Sequence, residues 1–360
     1  MTRHNNKCPP RVAIIGLGRI AWIMEDDPLR VKPCTHVGAY LKQGCELVAA
    51  CDVDAERRQD FRRRFGVEHT YEDYEIMLAK NTLDVLSICA YATERHAMVM
   101  SALKHQVPAI FCEKAFATSL EEADEMVAAI SSAGTRVVVG HMRRWSPHYR
   151  QVKAVIEKGI LGKVQTVNVK FSGSLIHTGT HAFDVLHWWF GMPLAVRGRL
   201  ERGGPTDKQS GYRYGQYEMD DVGGFGQIFF TDDVVVNIEG RVKNYFIFEF
   251  DIIGSEGRVR VGNDGLVYYA SQNSERMTGF YELVRTDIPE TFETQNLGTV
   301  WEAAVTSVLA EGSEKKAIPA SAIDARMALE IAVAFFMSDR ESGREVSFPL
   351  KRCGFRVPSR

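Results

Sequence analysis

Along the chain, the rhythm of apolar and polar positions changes once, near Gly140. Before it, short unbroken apolar runs recur at Arg11–Ile15, Leu47–Cys51, Val85–Ala90, Ala109–Cys112 and Val137–Val139. Runs without polar alternation suit strands buried on both faces of a parallel sheet. The stretches between them have helical patterning. Ala55–Phe65 is charged and amphipathic, and Asp73–Lys80 is short. Glu94–His105 carries Ala97, Val99, Met100 and Leu103, and Ser119–Ser132 opens with a Ser cap and an acidic first turn. This alternation predicts a doubly wound α/β domain.

After Gly140 the period becomes two. Val164–Phe171, Gly224–Phe230, Val234–Glu239, Phe246–Ile253 and Arg258–Val261 read as half-buried antiparallel strands. Pro147–Lys158, Thr299–Leu309 and Ala322–Ser338 read as helices. Strands grouped apart from helices predict an α+β arrangement. A large antiparallel sheet of this kind packs helices on one face and turns the other to solvent or a partner. The tract Glu201–Asp221, rich in Gly, Tyr and charge, reads as a long functional loop. The expectation is an α/β protein with a first domain over residues 1–142 and a second over 143–360.

Composition narrows the partners. The 360 residues carry 44 Lys plus Arg against 46 Asp plus Glu, a net charge of −2. No strong field draws nucleic acid or an anionic membrane. The apolar runs are of strand length, too short for a transmembrane helix. The opening MTRHNNKCPP lacks the apolar stretch of a secretory signal. Seven cysteines, none in a C-x-x-C pair, fit reduced thiols and a cytoplasmic setting better than a disulfide framework or zinc ribbon.

The first predicted strand runs into Gly16-Leu17-Gly18-Arg19-Ile20-Ala21, a G-x-G-x-x-A turn expected to open a helix. Its glycines let the backbone turn tightly and approach a pyrophosphate, which rests on free N–H groups at a helix start. Asp52 ends the second strand, where an acid accepts from both hydroxyls of the adenosine ribose. Gly16, Gly18, Arg19, Ile20 and Asp52 are therefore the candidate dinucleotide site. Asp52 follows Gly18 by 34 positions, against the usual ~20, because Glu25–Thr35 is a Pro- and charge-rich insertion. An acid at Asp52 repels a 2′-phosphate, so NAD is expected over NADP, with Arg57 and Arg58 close enough in sequence to oppose that preference.

Two further strings give a family resemblance: Cys112-Glu113-Lys114-Ala115 at the end of the fifth strand, and His177-Thr178-Gly179-Thr180-His181-Ala182-Phe183-Asp184 opening a later helix. With the glycine turn they resemble the glucose–fructose oxidoreductase and inositol dehydrogenase (Gfo/Idh/MocA) family. The resemblance implies an N-terminal Rossmann domain and a C-terminal α/β domain with a large open, mostly antiparallel sheet for substrate binding and oligomerisation. It also implies hydride transfer between a nicotinamide cofactor and a sugar, polyol or sugar derivative. Separately, the alternating run Phe246-Ile247-Phe248-Glu249-Phe250 leaves one face in need of cover, so a homodimer or homotetramer through the open face of the second sheet is expected. By the same resemblance Ala90, Tyr91 and His96 fall in the cofactor loop after strand four. Arg143-Arg144-Trp145 falls in an arginine–aromatic segment, with Arg144 a substrate candidate.

The resemblance makes Lys114 the group that orients the substrate hydroxyl, His181 the general base, and Glu113 a partner for Lys114, with Glu113 and Lys114 also among the cofactor-binding residues. Three departures stand out. Ala115 replaces the family's proline, and a cis bond before alanine costs ~2.5–4 kcal/mol, so a trans or reshaped loop is expected. Tyr91-Ala92 replaces Thr-Pro. His177 replaces an Asp and is read as a substrate hydrogen-bonder or an aid to His181. Asp184 either orients His181 or favours the positive end of the helix. His177 and His181 are four apart, as zinc ligands on a helix can be, but the family uses no metal here and none is expected. Cys51, Cys89 and Cys112 at strand ends read as small buried side chains. Two rival functions are an NAD-dependent glycosidase that works through transient sugar oxidation, and a non-catalytic NAD(H)-binding sensor.

Overall fold

The structure, a computed structural model, describes residues 8–202, 221–289, 299–310, 318–351 and 354–357. In chain order the first elements are β1 (Arg11–Ile15), α1 (His36–Lys42), β2 (Glu46–Cys51), α2 (Ala55–Phe65), β3 (Thr70–Tyr71), α3 (Tyr74–Lys80), β4 (Val85–Ile88), α4 (Ala92–Lys104), β5 (Ala109–Cys112), α5 (Leu120–Ala133) and β6 (Arg136–Val139). There follow α6 (Pro147–Glu157), β7 (Val164–Ser172), α7 (Thr180–Phe190), β8 (Ala195–Leu200), β9 (Gly224–Phe229), β10 (Val235–Val242), β11 (Phe248–Gly254), β12 (Gly257–Gly262), β13 (Gly265–Asn273) and β14 (Tyr281–Thr286). Last come α8 (Val300–Leu309), α9 (Ala322–Arg340) and β15 (Val346–Ser347).

The chain divides into two compact units, and the division is not a single cut. Unit one takes residues 1–117, 122–145 and 296–322; unit two takes 118–121, 146–295 and 323–360. The sequence places one boundary after residue 142, whereas the chain returns to unit one through α8.

Unit one holds a six-stranded parallel sheet in the order β3-β2-β1-β4-β5-β6. Its inner strands are buried along their length, as their unbroken apolar runs require. The order reverses between β1 and β4, which opens a crevice at the carboxyl ends of the strands, where open α/β sheets bind ligands. A core of Ile14, Phe61, Phe111, Tyr40 and Val138 is completed by Trp301 and Val305 of α8.

Unit two holds a nine-stranded sheet in the order β14-β13-β12-β11-β7-β10-β9-β8-β15, antiparallel except where β7 meets β10. One face packs on helices: Phe183 of α7 stacks on Phe335 of α9 at 5.6 Å, and Trp189 meets Phe250 at 5.1 Å. The alternating Phe246–Phe250 run leaves only Phe246 exposed among its phenylalanines. Phe248 and Phe250 are already buried within the unit, against Tyr149 and Trp189. The opposite face is a polar ladder. Asn237 bonds to Asn168 and Gln227, Gln227 bonds to Arg197, and Arg258 makes a two-point contact with Asp251.

Candidate active site

The glycine turn leaves β1 at the sheet's switch point. Gly16 has φ +85°, and a Cβ there would stand 2.7 Å from the Ala90 nitrogen, so only glycine fits. Its N–H donates to the Cys51 carbonyl at 2.8 Å. Gly18 differs: a Cβ there would meet nothing nearer than an Arg57 nitrogen at 3.9 Å. Among the described residues nothing crowds that glycine, and the open space beside it fits a pyrophosphate. The helix expected here does not form. Residues 23–26 make a short 3-10 turn, and α-helix begins only at His36. The insertion is the cause: Lys32 donates to the Met24 and Asp27 carbonyls, and Pro28 and Pro33 break the run.

Asp52 braces the turn from the end of β2. Its carboxylate accepts from the Leu17 N–H at 2.7 Å and the Asp54 N–H at 2.9 Å. Arg58 is occupied by the Asp52 and Val53 carbonyls, at 2.7 and 3.0 Å. Arg57 lies 3.8 Å from Asp52 and 3.6 Å from Asp54. Ala90 lines the turn through its backbone. Tyr91 precedes α4 and is half exposed, while His96 on α4 pairs with Glu125 at 3.0 Å. Arg19 and Ile20 follow the glycines in the same turn.

The end of β5 carries a cluster that sequence reading only half anticipated. Glu113 is 6% exposed, and a Cβ on Gly140 would sit 2.8 Å from its Oε1. Glu113 Oε1 lies 3.1 Å from His36 Nε2, and Oε2 accepts from the Lys114 N–H at 3.2 Å. His36 Nδ1 lies 3.0 Å from Ser87 Oγ, which lies 2.8 Å from Tyr40 Oη. Burial acts to raise the Glu113 carboxyl, but the His36 contact and the charges of Lys114 and Arg95 outweigh it and hold the group below its ordinary range.

His36, Ser87 and Tyr40 were not singled out from sequence. The insertion places His36. Glu25 Oε2 accepts from Thr35 Oγ1 at 2.6 Å and from the Cys34 N–H at 3.1 Å, and Thr35 in turn caps α1 through the Gly38 N–H. The signal in the sequence was that cap, Thr35, immediately before His36.

The Lys114–Ala115 peptide bond is cis, correcting the expected trans or reshaped loop. Its surroundings define it: Ala115 and Phe116 are buried, and the buried Arg95 guanidinium donates to the Ala115 carbonyl. Cys51 and Cys112, pushed up by burial to about 12, and Cys89, raised well above its ordinary range, are protonated thiols. Arg144 sits buried in a 3-10 turn beside Trp145, whose indole donates to Ser307 at 2.8 Å.

In unit two, His177 is the exposed residue of an otherwise largely buried π-turn spanning residues 175–179, and α7 starts only at Thr180. The expected single helix opening at His177 is thus two segments. Asp221 explains the break: its carboxylate accepts from Ser174 Oγ at 2.6 Å and from the Ile176 and His177 N–H groups at 2.8 and 2.9 Å. His181 is half-buried on the first turn of α7 and Asp184 is fully buried. Apart from Asp221, the Glu201–Asp221 loop beyond Arg202 lies outside the described residues. Among the described residues no three His, Cys, Asp or Glu side chains gather to hold a metal ion.

The sequence matches the oxidoreductase family with an NAD-binding Rossmann fold over residues 10–141, and that family's C-terminal α/β domain over residues 162–348. The protein belongs to the Gfo/Idh/MocA oxidoreductase family. Its similarity to individual members is more limited. It is 37% identical to a D-apiose dehydrogenase of Paraburkholderia graminis over 43% of this chain and 38% of that one. It is 29% identical to an inositol 2-dehydrogenase of Salmonella typhimurium over 49% of this chain and 54% of that one. The chain thus spans about half or less of the length of these relatives. Over the whole fold it resembles the WlbA dehydrogenase of Bordetella pertussis, solved with NADH and UDP-GlcNAcA, with TM-score 0.74 and 18% identity covering 95% and 99% of the two chains. It also resembles a myo-inositol 2-dehydrogenase of Lactobacillus plantarum, with TM-score 0.69 and 23% identity covering 94% and 99%. The Gfo/Idh/MocA fold accounts for both sheets and for the position of the glycine turn.

Proposed function

We propose that this Gfo/Idh/MocA protein is an NAD-dependent dehydrogenase or reductase acting on a CH–OH group of a sugar, polyol or sugar derivative. The observation that carries the reading is the end of β5, where Lys114 follows a buried carboxylate held by His36 and by the Lys114 backbone N–H. That supplies a lysine beside a fixed counter-charge at the ligand-binding edge of the sheet. The names of its relatives, dehydrogenases of apiose and inositol, fit the same substrate class.

The glycine turn and Asp52 would hold the dinucleotide, Asp52 at its ribose and the space beside Gly18 at its pyrophosphate. When bound, NAD supplies the hydride acceptor. The chain's own part is proton and charge. Lys114 orients the substrate hydroxyl and stabilises negative charge on its oxygen as the proton leaves. His181 takes that proton, since a neutral imidazole is a suitable base near pH 7. His177 hydrogen-bonds the substrate where relatives use an Asp, and Arg144 supports binding. We place the enzyme in the cytoplasm, a setting its free thiols suit. We also expect a homodimer or homotetramer formed through the polar outer face of the large sheet. No helix among the described residues is long and apolar enough to cross a membrane.

The test is a screen of sugars, polyols and acidic or nucleotide-linked sugars for NADH formation at 340 nm. Steady NADH production from one class supports the reading. Release of an aglycone without net NADH would make the enzyme a glycosidase, and tight NADH binding with no turnover would make it a sensor.

A further inference from the structure

We propose that His36 is a positioning residue for Lys114, anchoring the Glu113 carboxylate from within the core as the fixed negative charge beside the lysine. The proposal rests on the reading of Lys114 as the group that stabilises charge on the substrate oxygen. His36 is fully buried, held between Phe111 at 4.2 Å and Trp301 at 5.1 Å, so its ring has one seat.

The hydrogen bonds run in one direction. A carboxylate only accepts, so His36 Nε2–H donates to Glu113 Oε1. In the neutral tautomer that carries the proton on Nε2, Nδ1 accepts from Ser87 Oγ and Ser87 accepts from Tyr40 Oη. Burial keeps the Tyr40 phenol protonated and able to donate. Every proton in the chain has an acceptor, and the sequence of donations ends on Glu113. Ser87 and Tyr40 are fully buried, so the chain ends in the core rather than leading a proton to solvent. Its work is to hold the tautomer and angle of His36, as an outer partner does for a catalytic imidazole.

The groups acting on Glu113 are His36 from α1, Lys114 beside it, and Arg95 from α4; the thiols of Cys89 and Cys112 stay neutral. Arg95 is committed to the Ala115 carbonyl, on the far side of Lys114 from Glu113 in the chain. If the His36 donor is lost, the carboxylate loses the contact that seats Oε1, and its charge is no longer fixed beside Lys114. Lys114 then loses a counter-charge and gives up its proton at lower pH.

The two nitrogens of His36 can be separated by substitution. Glutamine places an N–H donor near the position of Nε2, whereas asparagine reaches only the position of Nδ1. Lys114 is followed directly by NMR of the reductively 13C-methylated protein, with its signal assigned from Lys114→Arg. Thermal melting and NADH binding confirm that each variant is folded. In His36→Asn the Lys114 titration should fall by about one pH unit or more, and in His36→Gln it should stay within a few tenths of the parent. Glu113→Gln, which removes the charge and keeps the shape, should lower it at least as far as His36→Asn.

In turnover, the alkaline limb of kcat/KM should move toward acid in the same order, with KM for the cofactor little changed. A Lys114 titration that does not move in His36→Asn or Glu113→Gln overturns the proposal, as does one that moves equally in the Asn and Gln variants. A parent enzyme that oxidises no sugar or polyol overturns the assigned reaction instead, and the Lys114 titration then decides the role of His36 alone.

Discussion

His36 Nε2 lies 3.1 Å from Glu113 Oε1, although the two residues are 77 positions apart. One stands at the first turn of α1, the other just past β5. The pair closes over Gly140, where a side chain would strike the Glu113 carboxylate. Gly140→Ala should therefore displace Glu113 and disturb Lys114 without touching the cofactor turn. The expected result is a several-fold loss of kcat with the NADH Kd kept within about twofold, under half a kcal/mol. Equal losses in both would show that the substitution disturbs the whole unit.

The carboxyl of Glu113 is held below its ordinary value of 4.5. A carboxyl lowered in the folded state adds stability above its unfolded value, and that contribution is lost as the pH falls through the folded one. The stability advantage of the parent protein over Glu113→Gln should thus be full at pH 7 and shrink as the pH drops below about 4.5. Denaturant melts across pH 3–7 read it. An advantage that grows toward acid would reverse the sign of the assignment.

The two glycines of the turn should fail differently. Gly16 combines a positive φ with backbone crowding, so Gly16→Ala should cost roughly 1–3 kcal/mol of stability or more. Gly18 has open space beside it, so Gly18→Ala should keep its Tm and lose NADH affinity. Calorimetry and NADH fluorescence titration separate the two. A Gly18→Ala protein with parental NADH affinity would remove the pyrophosphate from that space.

Asp52 should set the cofactor preference. Its charge disfavours a 2′-phosphate, while Arg57 waits 3.8 Å away. The parent should prefer NAD to NADP in kcat/KM. Asp52→Asn should move the ratio toward NADP by about tenfold, about 1.4 kcal/mol, and Arg57→Ala in that background should reverse the gain. A parent that prefers NADP tenfold would contradict the role given to Asp52.

Much of this layout was legible because its causes are local. The unbroken apolar runs at β1, β4 and β5 can only be buried strands, and the G-x-G turn with an acid after β2 marks the switch point. What the sequence hid depends on contacts far along the chain. His36 follows an insertion whose fold is set by Glu25 and Thr35, so nothing near it in sequence points to Glu113. Asp221 bonds to the Ser174 hydroxyl and to the backbone at 176 and 177 from far along the chain, and it splits the helix that the 177–184 string alone suggests. β8 and β13 carry charged, glycine or polar residues where alternation would show, so they emerge only from pairing with β9 and β12. The return of α8 to unit one is likewise a matter of its long-range packing on α1.

The most direct measurement is single-turnover hydride transfer in Lys114→Ala beside the parent, with NADH affinity measured on the same samples. Lys114 is held to act on charge that develops only as the hydroxyl proton leaves. The account predicts a rate lower by about a hundredfold or more, some 3 kcal/mol in the barrier, with NADH affinity within about twofold of the parent. A Lys114→Ala enzyme that keeps most of its hydride-transfer rate, or that loses NADH binding in proportion to rate, would contradict it.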